Sequence, residues 1–156
     1  MKSKYVVRRA LTTDLPTVYL GELDSIRQDE PQNEARWKDA LRLNLQQWTQ
    51  ALERMFIAER GSEKIGYVFW EPRGSAAVLA SLYVLPDCRR IGVGRRLLDR
   101  FVEDAHERGF GSLTLGVKPE SPARQLCESA GFLFTHEDRG LRHYAYPIVP
   151  RDASQA

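Results

Sequence analysis

Residues 76 to 117 read strand, glycine turn, helix, strand, and this run limits what the chain can become. Ala76–Val84 is a mainly apolar, β-type run stopped by Pro86. Gly92-Val93-Gly94 then opens an amphipathic helix. Val93, Leu97, Leu98, Phe101, Val102 and Ala105 share one face, and Gly109 stops it. Ser112–Val117 is β-type again. Two strands joined by a helix predict a right-handed parallel crossover.

The flanking pattern completes one domain. Tyr5–Arg9 predicts a first strand, and Thr12-Thr13-Asp14 offers caps for a helix through Val18, Leu20 and Leu23. From Glu34, the residues Trp37, Leu41, Leu45, Trp48 and Leu52 recur every three or four positions and predict one second helix. Met55–Glu59 and Lys64–Trp70 flank a hairpin turn at Arg60–Glu63, and Pro72–Ser75 predicts another turn. Ala123–Ala130 is a short helix before Gly131, and Phe132–His136 and Arg142–Tyr146 are two last strands. The expectation is a mixed α/β domain over residues 1–149, followed by a loose tail at 150–156.

Charge narrows the class. There are 23 basic and 21 acidic residues, a net +2, which argues against a nucleic-acid or polyanion-coating partner. Yet five arginines fall between Arg89 and Arg100, opposed only by Asp87 and Asp99. Cys88 and Cys127, the two cysteines, form neither a disulfide framework nor a metal pair. The first residues turn polar too early for a signal peptide, and no apolar run approaches the roughly 20 residues of a membrane span. A cytoplasmic protein without membrane attachment or metal is expected.

The stretch from Leu82 to Arg95 is the most informative chemically. A strand running through a glycine turn into a helix aims unpaired backbone N–H groups in one direction, and the helix dipole adds about half a positive charge there. Such a turn binds phosphate or pyrophosphate. The dinucleotide fingerprint needs a third glycine where Leu97 stands, and the Walker lysine is absent. What remains is R-x-x-G-x-G, Arg89-Arg90-Ile91-Gly92-Val93-Gly94. With Leu-Tyr-Val-Leu-Pro before it and Glu-Ser-Ala-Gly-Phe a crossover later, it resembles the pyrophosphate turn of the GNAT superfamily of acyl-CoA-dependent N-acetyltransferases. Glu120, Ala123, Leu126, Cys127, Glu128, Gly131 and Phe132 resemble the family's second signature, with Glu120 for its Asn and Cys127 for its Tyr.

The resemblance implies a GNAT-like single domain. Its central mixed sheet would have about seven strands, with about four helices and two splayed parallel central strands. It implies acetyl-CoA as acyl donor, bound by Leu82, Tyr83 and Val84 of the first strand and by Arg89, Arg90, Ile91, Gly92, Val93, Gly94 and Arg95 of the turn. A main-chain N–H near the end of that strand would meet the oxyanion. Arg95, Arg96 and Arg100 either meet phosphates or stand solvated. Cys127 is the positional candidate for the general acid; its alternative is a small packed core residue.

The reaction implied is direct attack of a primary amine on the thioester. An amine of pKa about 10.4 is neutral in roughly one molecule in a few thousand at pH 7, so its proton needs a destination. The strand before the turn has no carboxylate, although Ser81 or Tyr83 could position a water. Glu22, Asp24, Asp29 and Glu30 lie around the connection where this family builds its acceptor site and could attract a cationic amine, but each reads first as part of a solvated polar loop. The competing function is a non-catalytic acyl-CoA-binding or regulatory module of the same fold. A third is a nucleotide binder of another class. A homodimer is common in the family and nothing in the sequence requires it. His136 and His143 would approach one another in a tight final hairpin.

Overall fold

The computed structural model describes residues 4–147, so the tail expected at 150–156 lies outside the described residues. Seven strands form one sheet: β1 (Val6–Arg9), β2 (Met55–Arg60), β3 (Glu63–Arg73), β4 (Ala76–Val84), β5 (Ser112–Val117), β6 (Leu133–Asp138) and β7 (Leu141–Tyr146). Five helices surround it: α1 (Leu15–Asp29), α2 (Glu34–Asp39), α3 (Leu41–Gln50), α4 (Val93–Glu107) and α5 (Ala123–Ser129). Their order across the sheet is β1-β2-β3-β4-β5-β7-β6, antiparallel except for the parallel β4–β5 pair. Among the described residues no helix is long and apolar enough to cross a membrane.

Strand alternation sorts the side chains into two layers. Met55, Ile57, Tyr67, Phe69 and Tyr83 pack with Val18 and Trp48 under α1 and α3. Phe56, Ala58, Val68 and Trp70 face the other way, against Leu97, Leu98 and Phe101 of α4. Cover on both faces explains why β2 and β3 read as nearly continuous apolar runs. Pro72 lies inside β3, where a turn was expected. It is tolerated because β2 ends opposite Phe69, leaving β3 one free edge beyond that point.

The second helix expected from Glu34 is two. The chain leaves helical geometry at Ala40 (φ −91°, ψ 17°), and Asn44 Nδ2 donates to the Trp37 carbonyl at 3.2 Å across the break. Trp48 is buried, but Leu41, Leu43 and Leu45 are exposed, so the stripe is only partly core. Leu41 and Leu45 instead line an apolar groove with Leu15, Pro16 and Tyr19.

The β4–β5 pair is short. Only Ala76–Ser112, Ala77–Leu113 and Val78–Thr114 pair. Beyond them β4 stays with β3 while β5 stays with β7 through Leu115–Tyr144, Gly116–His143 and Val117–Arg142. At the point of divergence Phe69 pairs with Ser81 and Trp70 with Leu79, which leaves Ala80 as a bulge. A bulge bends its strand and sharpens its twist. The splay expected from the resemblance therefore begins at Leu79.

Asp14 fixes the start of α1. Its Oδ2 accepts from the Leu11 amide at 2.7 Å and Arg8 Nη1 at 2.8 Å; its Oδ1 accepts from Arg8 Nη2 at 3.0 Å and pairs with Lys64 Nζ at 2.7 Å. Burial alone would raise this carboxyl's pKa, but the bonds from Arg8, Lys64 and Leu11 reverse that and hold it well below the usual range. A carboxylate with a depressed folded pKa contributes stability that is complete above the unfolded value of about 3.9 and is lost as pH falls from there through the folded value. Asp14→Asn should therefore be less stable than wild type at pH 7. The gap in urea midpoints should shrink steadily below about pH 4.

Candidate active site

Between β4 and α4 the chain makes a 3-10 turn at Pro86–Cys88 and then a tight approach to the helix. Arg90 (φ 67°) and Gly92 (φ 91°) both take left-handed backbone, and Gly92 is the N-cap of α4. For Gly92 the absence of a side chain matters, because that φ strains any other residue. The first bond of the helix runs from the Arg96 amide to the Gly92 carbonyl at 3.0 Å. Among the described residues nothing accepts from the amides of Arg90 to Arg95, and no side chain caps the helix. Alternating backbone hand with successive free N–H groups forms a concave anion nest at the positive end of the helix.

The surroundings leave that nest open. A Cβ on Gly92 would meet nothing within 4 Å, whereas one on Gly94 would come within 3.3 Å of Leu126 Cδ2. Gly92 thus leaves space toward solvent, and Gly94 lets α5 lie against α4. Val93 is buried and Ile91 exposed.

The arginines divide in role. Arg89 Nε donates to the Val84 carbonyl at 2.8 Å, with its guanidinium 5.7 Å from the Tyr83 ring centroid. Arg95 bridges Asp99 and the Ser129 carbonyl. Arg100 lies over the Phe56 ring at 4.2 Å, away from the nest. Arg90 makes no side-chain hydrogen bond among the described residues. Cys88, which reads from sequence as an exposed loop residue, is buried beside the turn.

Backbone alternation shows what β4 presents to the gap. The Leu85 amide donates to Ile65 of the β3 side at 2.8 Å. Tyr83 therefore also turns its main chain toward β3, and Leu82 and Val84 turn theirs toward the splay. The Arg89 bond to the Val84 carbonyl agrees with this direction.

On the opposite face, α1 brings carboxylates onto β4. Tyr67 Oη donates to Glu22 Oε2 at 2.6 Å, and Ser81 Oγ donates to the same oxygen at 2.7 Å. Tyr83 Oη donates to Asp24 Oδ2 at 2.6 Å. Burial pushes Glu22 above the ordinary glutamate range, against the bonds from Tyr67 and Ser81. Burial and then Asp24 push the Tyr83 phenol up to about 12. Gly21 makes this approach possible: a Cβ there would sit 2.5 Å from the Tyr67 ring and 2.6 Å from its hydroxyl. Beside Tyr83 a hollow of about 160 Å³ is lined by Leu20, Gly21, Ile65, Gly66 and Leu85. In the sequence Glu22 and Asp24 stand only as acids on the acceptor side. The missing link was which helix face meets Ser81. Asp29 and Glu30 do not join this cluster; they lie at the far end of α1.

Cys127 sits in the core beneath α5, and its thiol donates to the Arg124 carbonyl at 3.2 Å. Burial, then Glu128, pushes its pKa to about 11. An ordinary thiol has a pKa of about 8.5, so a proton would have to move uphill from Cys127 to a departing thiolate of that kind. The placement favours packing. Glu120 is exposed in the turn before α5, and His136 stacks on His143 with centroids 4.6 Å apart.

The profile of the acetyltransferase (GNAT) family matches residues 20–132. The chain is 34% identical over 101 residues to the uncharacterized N-acetyltransferase YhfO of Bacillus subtilis (strain 168), covering 60% of this chain and 66% of that one. It is 34% identical over 74 residues to the [ribosomal protein bS18]-alanine N-acetyltransferase of Escherichia coli (strain K12), covering 47% of each. The matches thus span about half to two thirds of the length of these curated relatives. The PaiA N-acetyltransferase of Thermoplasma acidophilum, solved with coenzyme A, shares the fold at TM-score 0.78. It has 17% identity, with 93% of this chain and 99% of that one covered.

Cys127→Ala separates the two roles of that thiol. Packing predicts a lower unfolding midpoint, from an unfolding free energy smaller by about 1 kcal/mol, with thiol release from acetyl-CoA unchanged. A general acid predicts a rate loss of about 100-fold or more with the midpoint little altered. The buried geometry leads us to expect the first result.

Proposed function

The chain belongs to the GNAT acetyltransferase family, and from that premise we propose that it moves an acetyl group from acetyl-CoA to a primary amine by direct attack within a ternary complex. The observation that supports this most is the set of unclaimed amides from Arg90 to Arg95 at the mouth of the β4–β5 splay. In this reading the nest holds the pyrophosphate, with Arg90 as its free cation. The pantetheine arm lies in the splay, where Leu82 and Val84 turn their main-chain groups. Tyr83 contributes through its side chain on the acceptor face rather than through its backbone. Among the described residues no group of three or more His, Cys, Asp or Glu side chains is placed to hold a metal ion.

Chemically, a neutral amine attacks the thioester carbonyl, a C–N bond forms and the C–S bond breaks. Coenzyme A leaves with the electron pair, and water supplies its proton. A main-chain N–H of β4 beside the bulge is the donor for the oxyanion. The acceptor approaches from the α1 face, where Glu22 and Asp24 suit a cationic amine. Small-molecule and protein amines both fit that requirement, and the alanine acetyltransferase among the relatives adds a protein α-amine to the classes to assay.

Gly92→Glu tests the nest. It puts a carboxylate where phosphate should sit, in space that is otherwise open. Calorimetric affinity for coenzyme A should fall by about 100-fold or more, equivalent to about 2.7 kcal/mol. Gly92→Ala, with the same backbone strain but no charge, should lose far less. Equal affinity in wild type and Gly92→Glu would remove the turn from the site.

A further inference from the structure

β4 has no carboxylate of its own, yet one is delivered to it from another element. Glu22 reaches across from α1 to Ser81, the residue that follows the Ala80 bulge. The bulge marks where β4 leaves β5, so the carboxylate is anchored where the splay begins, at its closed end. Both hydrogen bonds it receives go to Oε2. Oε1 accepts none among the described residues, and no fully buried side-chain oxygen there lacks a partner, so Oε1 keeps some contact with solvent. Among the described residues no cation pairs with it. A half-buried carboxylate with one oxygen held, one oxygen free and no counter-ion is poised to receive a cation or a proton.

We propose that the Glu22 carboxylate, held by Ser81 and Tyr67 at the bulge of β4, accepts the proton of the attacking amine. The proposal rests on the acetyltransferase reading and assigns it a general base. The amine nitrogen forms its bond to the thioester carbon, and its acidity rises as it becomes positively charged. Its N–H proton then passes to Glu22 Oε1. The intermediate collapses, the C–S bond breaks with its electron pair on sulfur, and the coenzyme thiolate is protonated by water. Glu22 returns its proton to solvent.

Burial raises Glu22 above the ordinary glutamate range, and a base with a raised pKa binds the transferred proton more firmly. The titratable groups near it are Tyr67 from β3 and, two residues along α1, Asp24 with its partner Tyr83 from β4. Burial and then Glu22 hold Tyr67 far above its ordinary range, so it stays a neutral donor throughout.

The test uses the whole chain with acetyl-CoA and a panel of 2-phenylethylamine, spermidine and lysine methyl ester, following thiol release on whichever turns over fastest. Glu22→Gln should keep coenzyme A affinity and lose about 100-fold in kcat at pH 7. Its rate should also lose the acid-side limb of the pH profile, and the deficit should narrow toward pH 10 as hydroxide replaces the base. Ser81→Ala leaves the carboxylate but removes a bond that lowers its pKa, so the acid-side limb should move to higher pH. Should Glu22→Gln fail to fold, that displacement decides the matter. A Glu22→Gln rate within about threefold of wild type overturns the proposal, as does an unmoved limb in Ser81→Ala. Absence of coenzyme A binding by wild type would instead overturn the acetyltransferase reading beneath it.

Discussion

Three residue pairs hold β4 to β5, and the remainder of the molecule is arranged around the fact that there are no more. Backbone donors and acceptors withdrawn from water need partners. Where the two strands part, the main-chain groups of Leu82 and Val84 have lost a neighbouring strand, and among the described residues only the Val84 carbonyl regains a partner, Arg89. The sheet can tolerate such an opening because each half is secured independently: β4 by a long ladder to β3, β5 by β7. A split sheet of this kind is a slot whose walls are peptide groups, suited to a ligand that is itself a chain of amides.

The two faces of that slot have different electrostatics. On one, α4 begins with free amides, left-handed backbone and an unengaged Arg90, all favouring negative charge. On the other, α1 lays Glu22 and Asp24 against tyrosine and serine hydroxyls, favouring positive charge. An anionic donor and a cationic acceptor would therefore enter from opposite sides and meet at the bulge. The Asp14 cluster belongs to this arrangement, because it ties the start of α1 to β1 and β3 and so sets where Glu22 falls along β4.

The crossover was legible because its signals are local. Ala76–Val84 and Ser112–Val117 match the observed strands in full, and Val93 to Ala105 is the buried face of α4. The break at Ala40 was not legible: nothing at that position forbids a helix, and Leu41 and Leu45 keep the apolar spacing although they line a surface groove. Asp104 was equally hidden. It lies on the buried side of α4, where Trp70 Nε1 donates to it at 2.9 Å and Arg9 pairs with it at 3.4 Å, partners distant in sequence. The same holds for Glu22, whose partners are 45 and 59 residues away. Periodicity places a residue on a face; it does not say what the face meets.

The contact between Gly21 and the Tyr67 ring also constrains how this chain can change over generations. Any side chain at 21 collides with the ring, so substitution there is closed while the tyrosine stands. Removing the ring first reopens position 21, but it strips a hydroxyl from Glu22. The two sites are epistatic, and the order of their replacement is not free. Descendants that lose the glycine should be those that have already found another way to hold the acid.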